Sequence, residues 1–424
     1  MIGGDLSIQE TNFQNHSQEE AKLFDDINTS DRISMFTAVV LMVNASISTD
    51  VFYFGYFFKC GIIQSVLIGL GVMMIAIFTF KVYMQTCTFG STNSYPSIWT
   101  KCFGQKTAFF ANILIFLAFS INTIVCTKDY FSDVFEIVSL FYPNSIFTKY
   151  RWALMFFVVI IVFFPVLFLE KASGLYMLAY VAKFGLLMGI LGVVFVFIEK
   201  VQKEGIDENH QMVLWSTNMD FFFEAFSGFN VVMFLHPVVH FIVRDLVKPT
   251  KNRIMKCLWI TESVTLISCL TTGFAAYFIF FNNNEGQNVL KYFNPNKTIT
   301  IIAKIGSTLS NTGLNCFYIW ILAQEISNIL IDGCSKSLLV RIFSGLVVIL
   351  FNIAASFLNQ TVIDFLFLLG YLAFVFLSFF LPSIFFLKIY GFVNFKWGMY
   401  SIIMLIVSLI IIIADINHQL SLMN

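Results

Sequence analysis

Long, unbroken apolar runs separated by short polar connectors dominate the chain. Treating clusters of charge as connector markers places apolar segments near 34–58, 62–84, 107–138, 152–169 and 174–198, then near 218–243, 254–281, 299–330, 338–357, 362–387 and 397–415. A bilayer-spanning helix needs about 20 mostly apolar residues. Membrane strands need only about 9–11 and alternate in polarity. The pattern therefore predicts about eleven transmembrane helices and an all-α polytopic membrane protein. It divides into a polar, acidic tail over 1–33, expected to be cytosolic and disordered, a membrane domain over 34–415 and a short tail over 416–424.

Composition supports this and removes other classes. Only 12% of residues are charged and 58% are hydrophobic, against about 25% charged in soluble domains. Twenty-five Lys and Arg balance twenty-five Asp and Glu, and neither sign forms a run suited to a nucleic-acid surface. The eight cysteines are scattered without a CxxC pair, which reads as packing. The first apolar stretch is too long for a signal-peptide core and is expected to remain as a span.

With the amino terminus in the cytosol, fifteen Lys and Arg fall inside and seven outside. That asymmetry favours this orientation. Asn296-Lys297-Thr298 then lies in an outer loop as a glycosylation sequon.

The sixth segment reads "FFFEAFSGFNVVMFLHPVVHFIVRDLVKPTKNRIMKCL", with His236-Pro237, then Asp245-Leu246 and Lys248-Pro249 before a basic run. It resembles the amino acid/auxin permease family, whose members include sodium-coupled neutral amino acid transporters; here Leu235 stands where Cys is usual. "VIDFLFLLGYLAFVFLSFFLPSIFFLKIY" is similar to the family's tenth helix through Gly370, Pro382 and Leu387-Lys388. "SYPSIWTKCFGQKTAFFANILI" adds a similar inner loop with Gly104, and the eighth segment matches loosely through Lys304. The likeness runs from about Asn44 onward.

The resemblance implies a secondary active transporter of amino acids with inverted five-helix repeats and discontinuous helices one and six, leucine-transporter-like. In such folds half-helix ends meet a substrate carboxylate, and unwound carbonyls hold a cation. Alternating access is the implied mechanism, with sodium or protons as the coupling ion and no other cofactor. The expected partners are a small neutral or cationic amino acid and the lipid bilayer, with the chain as a monomer in the plasma membrane or a vacuolar or lysosomal membrane.

Polar residues inside apolar spans mark the expected site. "NASISTDVFYFG" places Asn44, Ser46, Ser48, Thr49 and Asp50 in the first span. A carboxylate near the bilayer centre costs about 2.5–3.5 kcal/mol, so Asp50 should face a cavity or a partner unless the span ends earlier. In the sixth span, Ser227-Gly228-Phe229-Asn230 suggests either unwinding or close packing. These give Ser48, Thr49, Asp50, Gly228, Phe229 and Asn230 as substrate contacts.

Sodium-coupled members of the resembled family carry an Asn at the position of Asn44, with a hydroxyl at or beside Thr312. Asn44, Asp50, Ser310, Asn311 and Thr312 are thus the ion-coupling candidates, against a plain role in interhelical hydrogen bonding. The family's GxG step is occupied by Ser48 and Asp50. Replacing Gly with Asp adds bulk and charge where a ligand carboxylate would approach, leaving Asp50 as a protonated coupling group or a partner for a cationic amine.

His236 is expected in packing, hydrogen bonding or a pH-sensitive role. With His240 it lacks a third ligand for a transition metal. Lys304, where the family commonly has Arg, is a gating or structural candidate, and Lys183, Lys128, Glu224, Glu262 and Asp364 are candidates for buried pairs. No Walker loop or GxSxG motif points to an enzyme. A transporter-like sensor that binds an amino acid with little flux is the alternative.

Overall fold

Without water to satisfy the backbone, a chain in lipid must close its hydrogen bonds within helices or barrels. The computed structural model describes residues 32–88, 95–205, 212–233, 235–280, 288–295, 297–330, 337–355, 357–391 and 395–423. Among them the protein is helical, with an isolated bridge between Ile33 and Leu246 in place of any strand. Among the described residues seven helices are long and apolar enough to cross a bilayer: Ile62–Cys87, Gln105–Phe141, Ala172–Glu204, Met219–Val243, Lys251–Phe280, Leu338–Ala355 and Leu368–Tyr390. Met35–Ser46 and Thr49–Cys60, bent by 50°, form an eighth.

The other three expected spans are also helical. Arg151–Val166 and Trp397–Ile413 are shorter apolar helices. Thr298–Leu330 runs 33 residues and carries a polar row through Lys304, Ser307, Ser310, Asn311 and Asn315. Each of the eleven segments read from hydropathy thus holds a helix, and they are called spans one to eleven below. Most of the 1–33 tail lies outside the described residues, as do Asn296 of the sequon and the side chain of Asp364.

Spans five and eight pack most tightly. Lipid tails are as apolar as Leu, so helices in a membrane associate through close van der Waals fit, which small residues permit. Gly185 faces Gly306 and Leu309, and Gly192 faces Ala303. A Cβ added at Gly185 would lie 2.6 Å from the Gly306 carbonyl oxygen.

On the face of the molecule that carries residue 32, several side chains hold the connector between spans four and five. Helix ends leave carbonyls without intrahelical partners. Arg341, fully buried, satisfies two here, donating from Nε to Leu167 O at 2.9 Å and from Nη2 to Phe168 O at 3.2 Å. Trp320 Nε1 donates to Leu169 O at 2.8 Å. Asp245 Oδ2 accepts from the Ser173 N–H at 3.0 Å. The Ile33 N–H donates to Asp245 O at 2.8 Å, and the Val247 N–H returns to Ile33 O at 3.0 Å. On the opposite face Asp133, Glu136, Asn288, Lys291, Lys304 and Ser307 line a small depression.

Candidate substrate and ion site

Two helix interruptions define the centre. In span one, helix Met35–Ser46 ends where Ile47 turns extended, and Ser48 leads into the 3-10 turn Thr49–Tyr53. Flanking Ser46 and Ser48 belong to a residue type that competes with the helical backbone for hydrogen bonds. In span six, helix Met219–Val232 stops at Met233 and the chain resumes as His236–Val243, with Pro237 in its first turn. A proline lacks an N–H and its ring clashes with the carbonyl four residues back.

Span six therefore breaks one turn later than the Ser227–Asn230 stretch suggested. That stretch stays helical, and Gly228 is a packing position against the Phe57 ring. Phe229 stacks edge-on with Phe54 at 4.9 Å between ring centres.

The freed groups at the two interruptions are bridged by side chains from their neighbours. The Ser46 hydroxyl donates to the Val232 carbonyl at the break of span six and pairs with Thr265 Oγ1 at 3.0 Å. Tyr318 OH donates to Ala45 O at 3.0 Å. Ser48 Oγ donates to Ser310 Oγ at 3.2 Å. Asn44 Nδ2 donates to Gly313 O at 3.0 Å, while its Oδ1 is buried without a partner. Asn230 Nδ2 donates to Tyr371 OH at 3.4 Å, and its Oδ1 is likewise unpartnered.

Asn311 and Asn315 both donate to Cys126 O at 3.3 Å, and Thr127 Oγ1 donates to Asn315 Oδ1 at 2.9 Å. Of the ion-coupling candidates, Asn44, Ser310 and Asn311 gather against spans one and three. Thr312 lies off the Asn44–Ser310 side: its hydroxyl donates to Thr308 O of its own helix at 2.8 Å and meets Tyr130 of span three. Thr49 is buried, and Asp50 lies within electrostatic reach of Asp129 and Lys183.

Of the two gating candidates, His236 opens the second half-helix of span six. His236 Nε2 and Thr79 Oγ1 are hydrogen-bonded at 2.9 Å, with the Phe80 ring against the imidazole. Lys304 stands apart from this centre and pairs with Glu136 at the depression of the opposite face.

The family model described as transmembrane amino acid transporter protein matches residues 31–419. The chain belongs to that family. Among solved structures it is similar to Mhp1, a nucleobase-cation-symport-1 family transporter in a closed conformation with bromovinylhydantoin bound. The TM-score is 0.56 at 12% identity, over 93% of this chain and 95% of that one. That likeness is one of fold, the leucine-transporter-like arrangement with broken helices one and six. A search of curated proteins finds no match. The protein is thus a multi-pass membrane transporter.

In this member of the transmembrane amino acid transporter family, several side chains at the centre lie outside the sequence-derived set. Asn122, Tyr371 and Phe374 line a cavity with Ala118, Ile121, Val231 and Gly370 beside Asn230. Tyr318 and Asn315 hold the interruption of span one and the neighbouring span three. Lys183 Nζ donates to Ile47 O at 2.5 Å. Lys183 stood out as an intramembrane charge, yet its partner is a backbone carbonyl, which has no signature in the sequence. The tyrosines were hidden among many membrane aromatics.

Proposed function

We propose that the protein is a secondary active transporter that moves a small amino acid across its membrane by alternating access, coupled to sodium or protons. One observation carries the reading: spans one and six are interrupted side by side, and Asn44 and Asn230 near the two breaks each hold a buried amide oxygen with no partner. An unsatisfied buried acceptor costs about 1–3 kcal/mol. A substrate ammonium placed between them recovers that cost. The half-helices beginning at Thr49 and His236 start at the two adjoining breaks, and a helix start favours a carboxylate.

Ser48, Thr49 and Asn230 are the nearest candidate contacts on this reading, with Phe229 and Gly228 shaping the wall. Asp50 sits in the first turn after the break, so it competes with a substrate carboxylate there and binds the ammonium or a proton instead. Ligand and ion move the access equilibrium only through their different affinities for its two states.

The test is uptake of a panel of labelled amino acids into proteoliposomes, with sodium and pH gradients imposed separately. Concentrative uptake of at least one amino acid is expected. Saturable binding without flux would refute transport and favour a sensor.

A further inference from the structure

Polar residues continue away from the centre along spans three and eight. Residues three or four apart share a helix face. Ser307 is thus one turn from Ser310, which meets Ser48 at the break of span one. Asp133 is one turn from Asp129, whose Oδ2 accepts from Tyr53 OH at 3.2 Å. Both rows end at the depression between these spans and the connector joining spans seven and eight.

Span three brings Asp133 and Glu136 to its lining, span eight Lys304 and Ser307, and the connector Asn288 and Lys291. Two carboxylates therefore face two ammoniums, and the set is neutral. Lys304 pairs with Glu136. Asp133 and Lys291 lie within electrostatic reach of each other, and among the described residues neither side chain makes a hydrogen bond or an ion pair. Ser307, 1% exposed, lines the same depression with a buried hydroxyl that has no partner.

We propose that this depression is a second binding site, separate from the central one, for a free amino acid held by its two charged ends. The carboxylate lies against Lys291, Lys304 and the Ser307 hydroxyl, and the ammonium against Asp133 and Glu136. Such a site stands beside the transport reading above and shares with it only the class of ligand.

The balance of charge selects a zwitterion. A lone anion or cation would leave one sign in excess, whereas a zwitterion brings both and forms charge-assisted hydrogen bonds with each. The Lys304–Glu136 pair yields readily, because the Glu136 side chain is 43% exposed and exposed ion pairs contribute little. Lys291 is carried on an anchored turn: Asn288 Oδ1 accepts from the Leu290 N–H at 3.0 Å, and Val289 and Leu290 are buried. All four charges address groups that every α-amino acid carries, so the ligand's side chain is not selected.

The experiment measures equilibrium binding of labelled L-alanine to the purified full-length protein, with glycine, L-leucine, L-alaninamide and propionate as competitors. Alaninamide lacks the carboxylate and propionate the ammonium. Glycine and leucine should compete about equally, and the two single-charge probes should be weaker by about tenfold or more, the loss of one charged hydrogen bond. Asp133→Asn and Lys291→Gln should weaken alanine binding by a similar factor, and Lys291→Arg should retain it. Asn230→Ala, which removes an amide from the central site, should keep both the binding and its competition profile.

Unchanged binding in Asp133→Asn and Lys291→Gln, single-charge probes that compete as well as glycine, loss of all alanine binding in Asn230→Ala, or no alanine binding to the folded wild type overturns the proposal. Should Asp133→Asn or Asn230→Ala not fold, the variants of Lys291, an exposed residue, still decide it. Binding with the expected profile but without flux of any amino acid supports the second site and overturns the transport reading instead.

Discussion

Adding a single methyl group at Gly185 tests how spans five and eight are held together. The new Cβ would meet the Gly306 carbonyl oxygen at 2.6 Å, Leu309 Cβ at 2.7 Å and Ser310 N at 3.3 Å. Two of these are backbone atoms in the middle of a helix, which no rotamer change can move. Ordinary contact begins near 3.4 Å, so the helices must part by about 0.8 Å, and gaps of that size forfeit a quarter to a half of each dispersion well along the seam. Overpacking of this kind costs about 1–3 kcal/mol. Span eight also carries Ser310, Asn311 and Gly313, which meet span one and span three, so the displacement reaches the site.

The assay is thermal unfolding of Gly185→Ala in detergent beside Gly71→Ala, where the added Cβ meets nothing within 4 Å. The control should be neutral or slightly stabilised, because Ala restricts the unfolded chain more than Gly does. Equal melting temperatures for Gly185→Ala and wild type, or an equal loss in both variants, would refute the close-packing argument.

Three further outcomes follow from the geometry. Arg341→Lys loses the fork that spans the Leu167 and Phe168 carbonyls; it should destabilise the protein by about 1–3 kcal/mol, and unchanged unfolding would show that the fork contributes nothing. Ser46→Ala strips the Val232 carbonyl of its donor, so stability should fall by about 1–3 kcal/mol and KM for a carried amino acid should rise. Ser139→Ala, which removes only a bond to Phe135 O within its own helix, should leave both near wild type. A double-mutant cycle on Lys304→Met and Glu136→Gln should return a stability coupling of only about 0.2–1 kcal/mol, because the Glu136 side chain is 43% exposed; a value several times larger would mean the pair is shielded from water.

The helical framework was legible because a membrane imposes a length and an apolarity that no periodicity has to encode. Only the polar span eight and the short spans four and eleven fall below a strict test of those properties, and their placement followed from flanking charges. The break in span one was visible as the Ser-rich polar cluster ending at Asp50. The break in span six was misplaced by a turn, since Gly and Ser within lipid serve packing as well as unwinding; the missing N–H of Pro237 outweighed them. Ser310 and Thr312 lie about 160° apart around a helix, so only one can face span one, and the sequence does not say which. Backbone carbonyls as partners, as for Lys183, Tyr318 and Arg341, are silent in sequence because every residue has one.

The pairing of Ile33 with the Asp245–Val247 stretch joins the start of span one to the end of span six by two amide hydrogen bonds. Pulling these two half-helices apart means giving up both bonds, whereas swinging them as one piece keeps them. The far ends of the two broken spans are thereby yoked to each other, and Asp245 ties the yoke in turn to Ser173 in the connector between spans four and five.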